Sequence, residues 1–237
     1  MLVVDQVSKS YSTGFFKPSV PAVKQVSFTV NKGEAFGMMG ANGSGKSTVA
    51  HLIMKLTKAD SGRILFQEKD LLDCTKKDLR WFRRKIQIIF QQPLQALDPK
   101  QTIRSAIMEP LRVHGLVRSK KEGDEKIKEL LDLTNLSGEI LNRFPQQISG
   151  GQAQRVVIAR ALSLNPELII ADEPTSMLDI SSQAQILALL KKLQVEFGIG
   201  IILISHDLSV IRRFCDRLVV MKEGNIVHQG DTCCAPN

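Results

Sequence analysis

Eight consecutive residues, Gly40-Ala41-Asn42-Gly43-Ser44-Gly45-Lys46-Ser47, have the types and spacing of a phosphate cradle. Glycine lets the backbone fold tightly and approach an anion closely. Successive N–H groups then point at phosphate oxygens, and the N-terminus of a following helix adds positive potential. In this pattern Lys46 reaches the β- and γ-phosphates of a nucleoside triphosphate, and the Ser47 hydroxyl ligates Mg²⁺. The flanks suit that chemistry. An apolar run, Glu34-Ala35-Phe36-Gly37-Met38-Met39, precedes the loop, and a helix-prone stretch that starts at Thr48 follows it. Residues 40–48 are therefore read together as nucleotide-binding, with ATP and Mg²⁺ as the expected ligands.

Other candidates stand at the ends of apolar runs. Leu168-Ile169-Ile170-Ala171 is a continuous apolar stretch, the mark of a strand buried on both faces of a parallel sheet. Asp172-Glu173 ends it. In open α/β sheets ligands lie at the carboxyl ends of the strands, so Asp172 is expected to hold Mg²⁺ and Glu173 to polarise an attacking water as general base. His206 follows Ile201-Ile202-Leu203-Ile204 and is placed to hydrogen-bond a γ-phosphate. Gln91 follows Ile86-Gln87-Ile88-Ile89-Phe90, where its amide is suited to orient water or complete a metal shell. Tyr11, the only tyrosine, closes the first strand and is suited to stack on adenine.

The elements that must position these residues alternate between strand and helix, which points to an α/β parallel sheet. Residues 2–7 and 23–30 read as strands, with Asn31-Lys32-Gly33 as a hairpin turn and residues 13–22 as a loop. Residues 63–66 read as a short strand and 76–84 as a polar helix. From Thr102 to about Ser137 the apolar residues Ile103, Ile107, Leu111 and then Ile127, Leu130, Leu131, Leu133 recur at helical spacing, with residues 120–124 as a charged separator. Helices are expected over 153–164, 181–197 and from Asp207 to about Cys215. A closing hairpin is expected around Glu223-Gly224-Asn225.

Bulk properties bound the function. The chain has 237 residues and a formal net charge of +8, from 32 Lys plus Arg against 24 Asp plus Glu. The basic residues are dispersed, which favours solvated helix faces over a nucleic-acid arm. Four cysteines, at 74, 215, 233 and 234, do not form a disulfide framework or a metal-ligand set and read as reduced thiols. The N-terminus lacks the pattern of a signal peptide. No apolar run approaches the roughly 20 residues of a membrane span, so any membrane role requires other chains to cross the bilayer.

Two further motifs carry a resemblance. Ile148-Ser149-Gly150-Gly151-Gln152 and Ser176-Met177-Leu178-Asp179, in the same order and spacing as the residues above, make the chain similar to the nucleotide-binding subunits of ATP-binding cassette transporters along essentially its whole length. The first resembles that family's signature, with Ile148 where leucine is usual. The second resembles its D-loop, with Met177 where alanine is common. The resemblance implies an α/β phosphate-loop NTPase fold with a mostly parallel sheet core, an N-terminal antiparallel β-layer and an inserted α-helical subdomain. It implies one nucleotide-binding domain over 1–237, with 1–92 and 148–237 as core and 93–147 as the helical subdomain. It further implies an A-loop at Tyr11, a Q-loop at Gln91 that also serves the metal, Walker B at Asp172, a catalytic Glu173 and a switch His206. Two such subunits are expected to pack head to tail, so that Ser149, Gly150, Gly151 and Gln152 of one face the γ-phosphate held by the other.

A narrower likeness rests on Asp98-Pro99, Asn142-Arg143-Phe144-Pro145, residues 170–176, Ser182-Gln183-Ala184-Gln185 and the loop of residues 13–22. These resemble the oligopeptide, dipeptide and nickel importer subfamily. That likeness implies ATP hydrolysis coupled to import, a second ATPase subunit (a copy or a paralogue), two transmembrane permeases, an extracytoplasmic solute-binding protein acting indirectly, and a peripheral place on the cytoplasmic face of the cell membrane. Members usually continue past the final strand, whereas this sequence runs seven residues beyond Gly230. The alternative is a soluble cassette ATPase acting on nucleic acid. It is disfavoured because such proteins carry long coiled-coil or zinc-bearing insertions or two cassettes, so no nucleic-acid partner is expected.

Overall fold

The fully apolar runs lie together in one sheet, and the weakly alternating N-terminal strand lies in another. The computed structural model describes residues 1–12 and 19–234, apart from the side chains of Lys76 and Cys234. The sequence readings for residues 13–18, for residues 235–237 and for the Cys234 thiol lie outside that range. In chain order the first elements are β1 (Leu2–Tyr11), β2 (Val20–Val30), β3 (Ala35–Gly40), α1 (Lys46–Ile53), β4 (Ser61–Phe66), β5 (Lys69–Asp70), α2 (Lys76–Lys85) and β6 (Ile86–Ile89). Then come α3 (Ile103–Val113), α4 (Lys120–Leu133), α5 (Gly150–Leu162), β7 (Leu168–Asp172), α6 (Ile180–Phe197), β8 (Gly200–Ser205), α7 (Leu208–Phe214), β9 (Arg217–Lys222) and β10 (Asn225–Asp231).

The chain divides into two compact units. The first holds residues 1–88, 167–173 and 194–237, and the second 89–166 and 174–193. The helical subdomain was expected over 93–147; in this division α5 and most of α6 group with α3 and α4.

In the first unit a four-stranded antiparallel sheet has the order β2-β1-β4-β5, and a six-stranded sheet the order β10-β9-β3-β8-β7-β6. Pairing is parallel between β3 and β8, β3 and β9, and β7 and β8, and antiparallel between β9 and β10. Every residue of β7 is buried, as its unbroken apolar run requires. The alternation in β1 is weak because it slips. Leu2 and Val4 face the core, and then Val7 does, with a register shift against β2 and β4 and a left-handed Gln6 (φ 47°) between them.

One apolar core joins these layers, with Leu2, Val4 and Phe28 from one sheet, Phe36, Ile170 and Ile202 from the other, and Val49, Leu52 and Phe82 from α1 and α2. Phe28 and Phe36 stack with centroids 5.2 Å apart, tying the sheets face to face.

Asn31-Lys32-Gly33 is not a hairpin turn. It joins β2 and β3, which lie in different sheets. Strand pairing is a tertiary outcome, and a turn-like tripeptide between two apolar runs does not reveal it. Residues 20–22, read as loop, belong to β2, where Val20 pairs with Tyr11 and Pro21 with Ser10.

In the second unit α3, α4 and α5 pack on one another. The stripe of Ile103, Ile107, Leu111, Ile127, Leu130 and Leu131 is buried as the periodicity predicts. The separator at 120–124 is instead the first turn of α4. Ser119 caps it by accepting from the Glu122 amide at 3.2 Å. Gly123 sits inside the helix because a Cβ there would fall 2.4 Å from Met108 Cε. Substituting Ser119 with Ala should cost about 1 kcal/mol, read as a lower urea midpoint with an unchanged denaturant slope.

Candidate functional site

The phosphate loop leaves the carboxyl end of β3, the strand between β8 and β9. Two of its glycines are sterically required. Gly40 (φ 156°) would carry a Cβ 2.3 Å from the Met221 carbonyl oxygen, and Gly45 (φ 105°) one 2.4 Å from the Ala22 carbonyl oxygen. The loop closes on itself through the Ser44 amide, which donates to Ala41 O at 3.1 Å, and α1 begins as the Val49 amide donates to Gly45 O at 3.0 Å. The α1 N-terminus has no side-chain cap, so its leading amides are left for a ligand.

Lys46 is buried, and its ammonium donates to Gly40 O at 2.8 Å and Ala41 O at 2.9 Å. Burial pushes its pKa down, and the charges of Glu173 and Asp172 oppose that. Asp172 is also buried at the end of β7. Burial pushes its carboxyl up, while a hydrogen bond from the Ser47 hydroxyl pulls it down. A buried lysine at the start of α1 and a buried aspartate at the end of β7 are close enough to act on each other's charge.

Glu173 follows in a left-handed conformation (φ 46°), unusual for a residue with a side chain. Its amide donates to Ile204 O at 3.0 Å, and its Oε1 lies 3.1 Å from His206 Nδ1. That contact joins the strand-end acid to the strand-end imidazole. The tip carrying His206 is fixed on both sides. The Asp207 amide donates to Ser205 Oγ at 3.0 Å, and the Asp207 carboxylate accepts from the Ser209 amide at 2.8 Å at the start of α7. Glu173 is largely covered, at 11% side-chain exposure, whereas His206 is open at 59%, so one is sheltered and the other reaches outward.

Tyr11 is 40% exposed at the end of β1 and pairs with Val20. Two residues along β2 is Ala22, whose carbonyl lies against Gly45. The tyrosine thus stands at the end of the antiparallel sheet that touches the phosphate loop.

The remaining candidates lie in the second unit. Gln91 is exposed, and its amide donates to Ser176 Oγ at 3.2 Å. Ser149 caps α5, accepting from the Gln152 amide at 3.2 Å, while Gln152 Oε1 accepts from the Ser149 amide at 3.0 Å. This reciprocal box is legible in the Ser-x-x-Gln spacing but formed no part of the sequence reading. It leaves Ser149 and Gly150 exposed at a helix N-terminus. Asp179 accepts from the Ser182 amide at 2.9 Å and from the Ser182 hydroxyl at 2.7 Å, which starts α6.

The residues present fit a nucleotide phosphate and Mg²⁺. Ser44 Oγ is buried beside Gly40 of the same loop and has no hydrogen-bond partner among the described residues. Ser47 and Asp172 offer one hydroxyl and one carboxylate, a small oxygen set that suits an ion retaining several waters.

Comparison with known proteins follows that geometry. A family model described as ABC transporter matches residues 23–176. The oligopeptide transport ATP-binding protein OppF of Streptococcus mutans is 44% identical over 97% of this chain and 74% of its own length. The oligopeptide transport ATP-binding protein AppF of Bacillus subtilis is 46% identical over 88% of this chain and 63% of its own length. The chain therefore spans between three fifths and three quarters of these relatives. The glutathione import ATP-binding protein GsiA of Shigella flexneri is 45% identical over 90% of this chain and 34% of that protein. Among solved structures, a dimeric ATP-binding cassette in a post-hydrolysis state with ADP and Pi superposes with a TM-score of 0.89 at 35% identity, covering 98% of this chain and 99% of that one. A cassette from Clostridium perfringens, part of an ABC transporter complex, superposes with a TM-score of 0.83 at 31% identity, covering 98% of this chain and 88% of that one.

Proposed function

Because the chain belongs to the ABC transporter family of ATP-binding proteins, we propose that it is the ATP-hydrolysing subunit of a membrane importer of peptides. The observation that carries the reading is the buried Lys46 and Asp172 beside the sheltered Glu173–His206 pair. The transport names of the relatives favour peptides over the nickel that the subfamily also implies, since glutathione is itself a tripeptide.

In this reading the amides of residues 41–47 and the start of α1 receive the phosphates of ATP. Lys46 supplies the cation for the β- and γ-phosphates, and Thr48 lies in the first turn of the same helix. Tyr11 stacks on the base. Ser47 and Asp172 would hold Mg²⁺, which when bound spreads the negative charge that builds on the transferred phosphoryl group. Glu173 takes the proton of the attacking water, and His206 both orients Glu173 and contacts the γ-phosphate. The roles proposed for Gln91, orienting water and completing the metal shell, rest on its amide at the end of an apolar run and on the family resemblance.

Ser149, Gly150, Gly151 and Gln152 are proposed to complete the site of a second ATPase subunit. ATP then joins the two subunits and hydrolysis parts them, which converts chemistry into opening and closing. The exposed, capped start of α5 and the dimeric state of a cassette relative support this. A Cβ at Gly151 would meet nothing closer than Ser182 Oγ at 3.4 Å, an ordinary contact. Gly151→Leu should therefore leave ATP binding by the isolated chain unchanged and lower hydrolysis by the assembled transporter about a hundred-fold, the scale of a small misplacement at a reacting centre. Undiminished hydrolysis in that variant would refute the shared site.

No helix of the described residues is long and apolar enough to cross a membrane. The importer reading calls for two permease chains, a peripheral position on the cytoplasmic face and a solute-binding protein outside. Affinity purification of the full chain from detergent-solubilised membranes tests this. Two multi-span proteins should accompany it, and their consistent absence would contradict the importer.

A further inference from the structure

The phosphate loop is held from behind by backbone atoms that sequence motifs do not mention. The turn between β9 and β10 is Glu223-Gly224. The Gly224 amide donates to Ser44 O at 3.0 Å, and Gly224 O accepts from the Lys24 amide at 2.8 Å. One residue thus bridges the phosphate loop and β2. Around it the packing is close. Built Cβ atoms fall 2.9 Å from Ala22 O at Gly224, 2.4 Å from the same oxygen at Gly45, and 2.3 Å from Met221 O at Gly40. Both turn residues are left-handed, Glu223 at φ 49° and Gly224 at φ 82°. Left-handed residues are what a two-residue hairpin turn requires, so it is the tight contact with Ala22 O and the bond to Ser44 O that call for a positional explanation.

We propose that Gly224 is a positioning residue for nucleotide binding. It sets the height of the loop at Ser44 and locks it to the strand that continues toward Val20 and Tyr11. The phosphate cradle and the base-stacking edge are thereby kept at a fixed separation. A ligand that bridges both, a nucleoside di- or triphosphate, gains from that preorganisation because the loop need not be ordered on binding. A side chain at Gly224 would push on the Ala22 carbonyl and tilt the turn away from Ser44. The loop would then lose its buttress while Lys46, Ser47 and Asp172 remained intact. This inference rests on the nucleotide-binding reading of residues 40–48.

The test compares Gly224→Ala with Gly198→Ala in the full chain. Gly198 is also left-handed (φ 63°) and belongs to the same unit, but a Cβ there meets nothing within 4 Å. It carries a similar backbone cost without touching the loop. ADP and ATP affinities are measured by calorimetry, with thermal denaturation in the absence of nucleotide. Affinity for both nucleotides should fall about ten-fold in Gly224→Ala, the equivalent of about 1.4 kcal/mol, and stay at the wild-type value in Gly198→Ala. Equal loss of affinity in both variants would reduce the effect to general destabilisation and overturn the proposal, as would wild-type affinity in a folded Gly224→Ala.

Should that variant not fold, amide hydrogen exchange in the wild-type chain decides. ADP should slow exchange at Gly224 together with residues 41–47. Protection of the loop without protection of Gly224 would overturn the proposal. A wild-type chain that binds neither nucleotide would overturn the underlying reading instead.

Discussion

Glu173→Gln is expected to bind ATP as the wild type does and to hydrolyse it a hundred-fold to ten-thousand-fold more slowly, the range for loss of a positioned general base. The geometry favours this clean separation. Glutamine has the shape of glutamate, so it keeps the left-handed backbone at φ 46° and the amide bond to Ile204 O at 3.0 Å. Its amide oxygen still accepts from His206 Nδ1, which lies 3.1 Å from the present carboxylate. What it loses is the ability to take a proton from water. The phosphate loop, Lys46 and Asp172 all remain, and the one change they feel is the loss of a nearby negative charge, which gives nucleotide phosphates no reason to bind less. Single-turnover phosphate release with equilibrium ATP binding measured alongside checks both halves. Rapid hydrolysis by the variant would move the base elsewhere, and joint loss of binding would make Glu173 a structural residue.

Lys46→Ala should fail one step earlier, at binding. The ammonium is buried and held by the carbonyls of Gly40 and Ala41. Its pKa is pushed down by burial and supported by two nearby carboxylates, so the fold already bears the cost of a cation placed where the phosphates are expected. Hydrogen bonds to charged groups contribute about 1.5–3 kcal/mol each, so ATP and ADP affinity should fall about ten-fold to a hundred-fold on truncation. Without Lys46, Asp172 also loses a charge that steadies it against burial. Calorimetry with ADP measures the loss directly, and unaltered affinity would mean that the loop amides alone bind the phosphates.

The site's chemistry was legible in the sequence wherever it is carried by side chains in local patterns. The glycine-lysine-serine loop after an apolar run, the acid pair after a second and the histidine after a third each needed only a strand and its carboxyl end. The structure places them at the ends of β3, β7 and β8. Apolar periodicity likewise revealed the helical stripes from Ile103 to Leu131. Features made by backbone atoms or by pairing between distant segments were not legible. Ala22, Met221 and Gly224 act on the loop through carbonyl and amide groups that every residue possesses, so residue identity says little about them. Asn31-Lys32-Gly33 has turn composition, yet whether it closes a hairpin depends on which strand pairs with β2. The charged stretch at 120–124 reads as a break because it contains glycine, a poor helix former. Only the Ser119 cap and the close approach of Met108 to Gly123 show why a helix begins there. The hydrogen bond from Gln91 to Ser176 joins residues far apart in the chain and left no local trace.

The central claim is that this site hydrolyses ATP to drive a membrane transporter. Phosphate release by the full chain, reconstituted in vesicles with its permease partners, measures it most directly. Hydrolysis should depend on Glu173 and rise when a peptide-loaded solute-binding protein is added at the opposite face. Hydrolysis that ignored the permeases and the loaded binding protein but rose with added DNA or RNA would contradict the account.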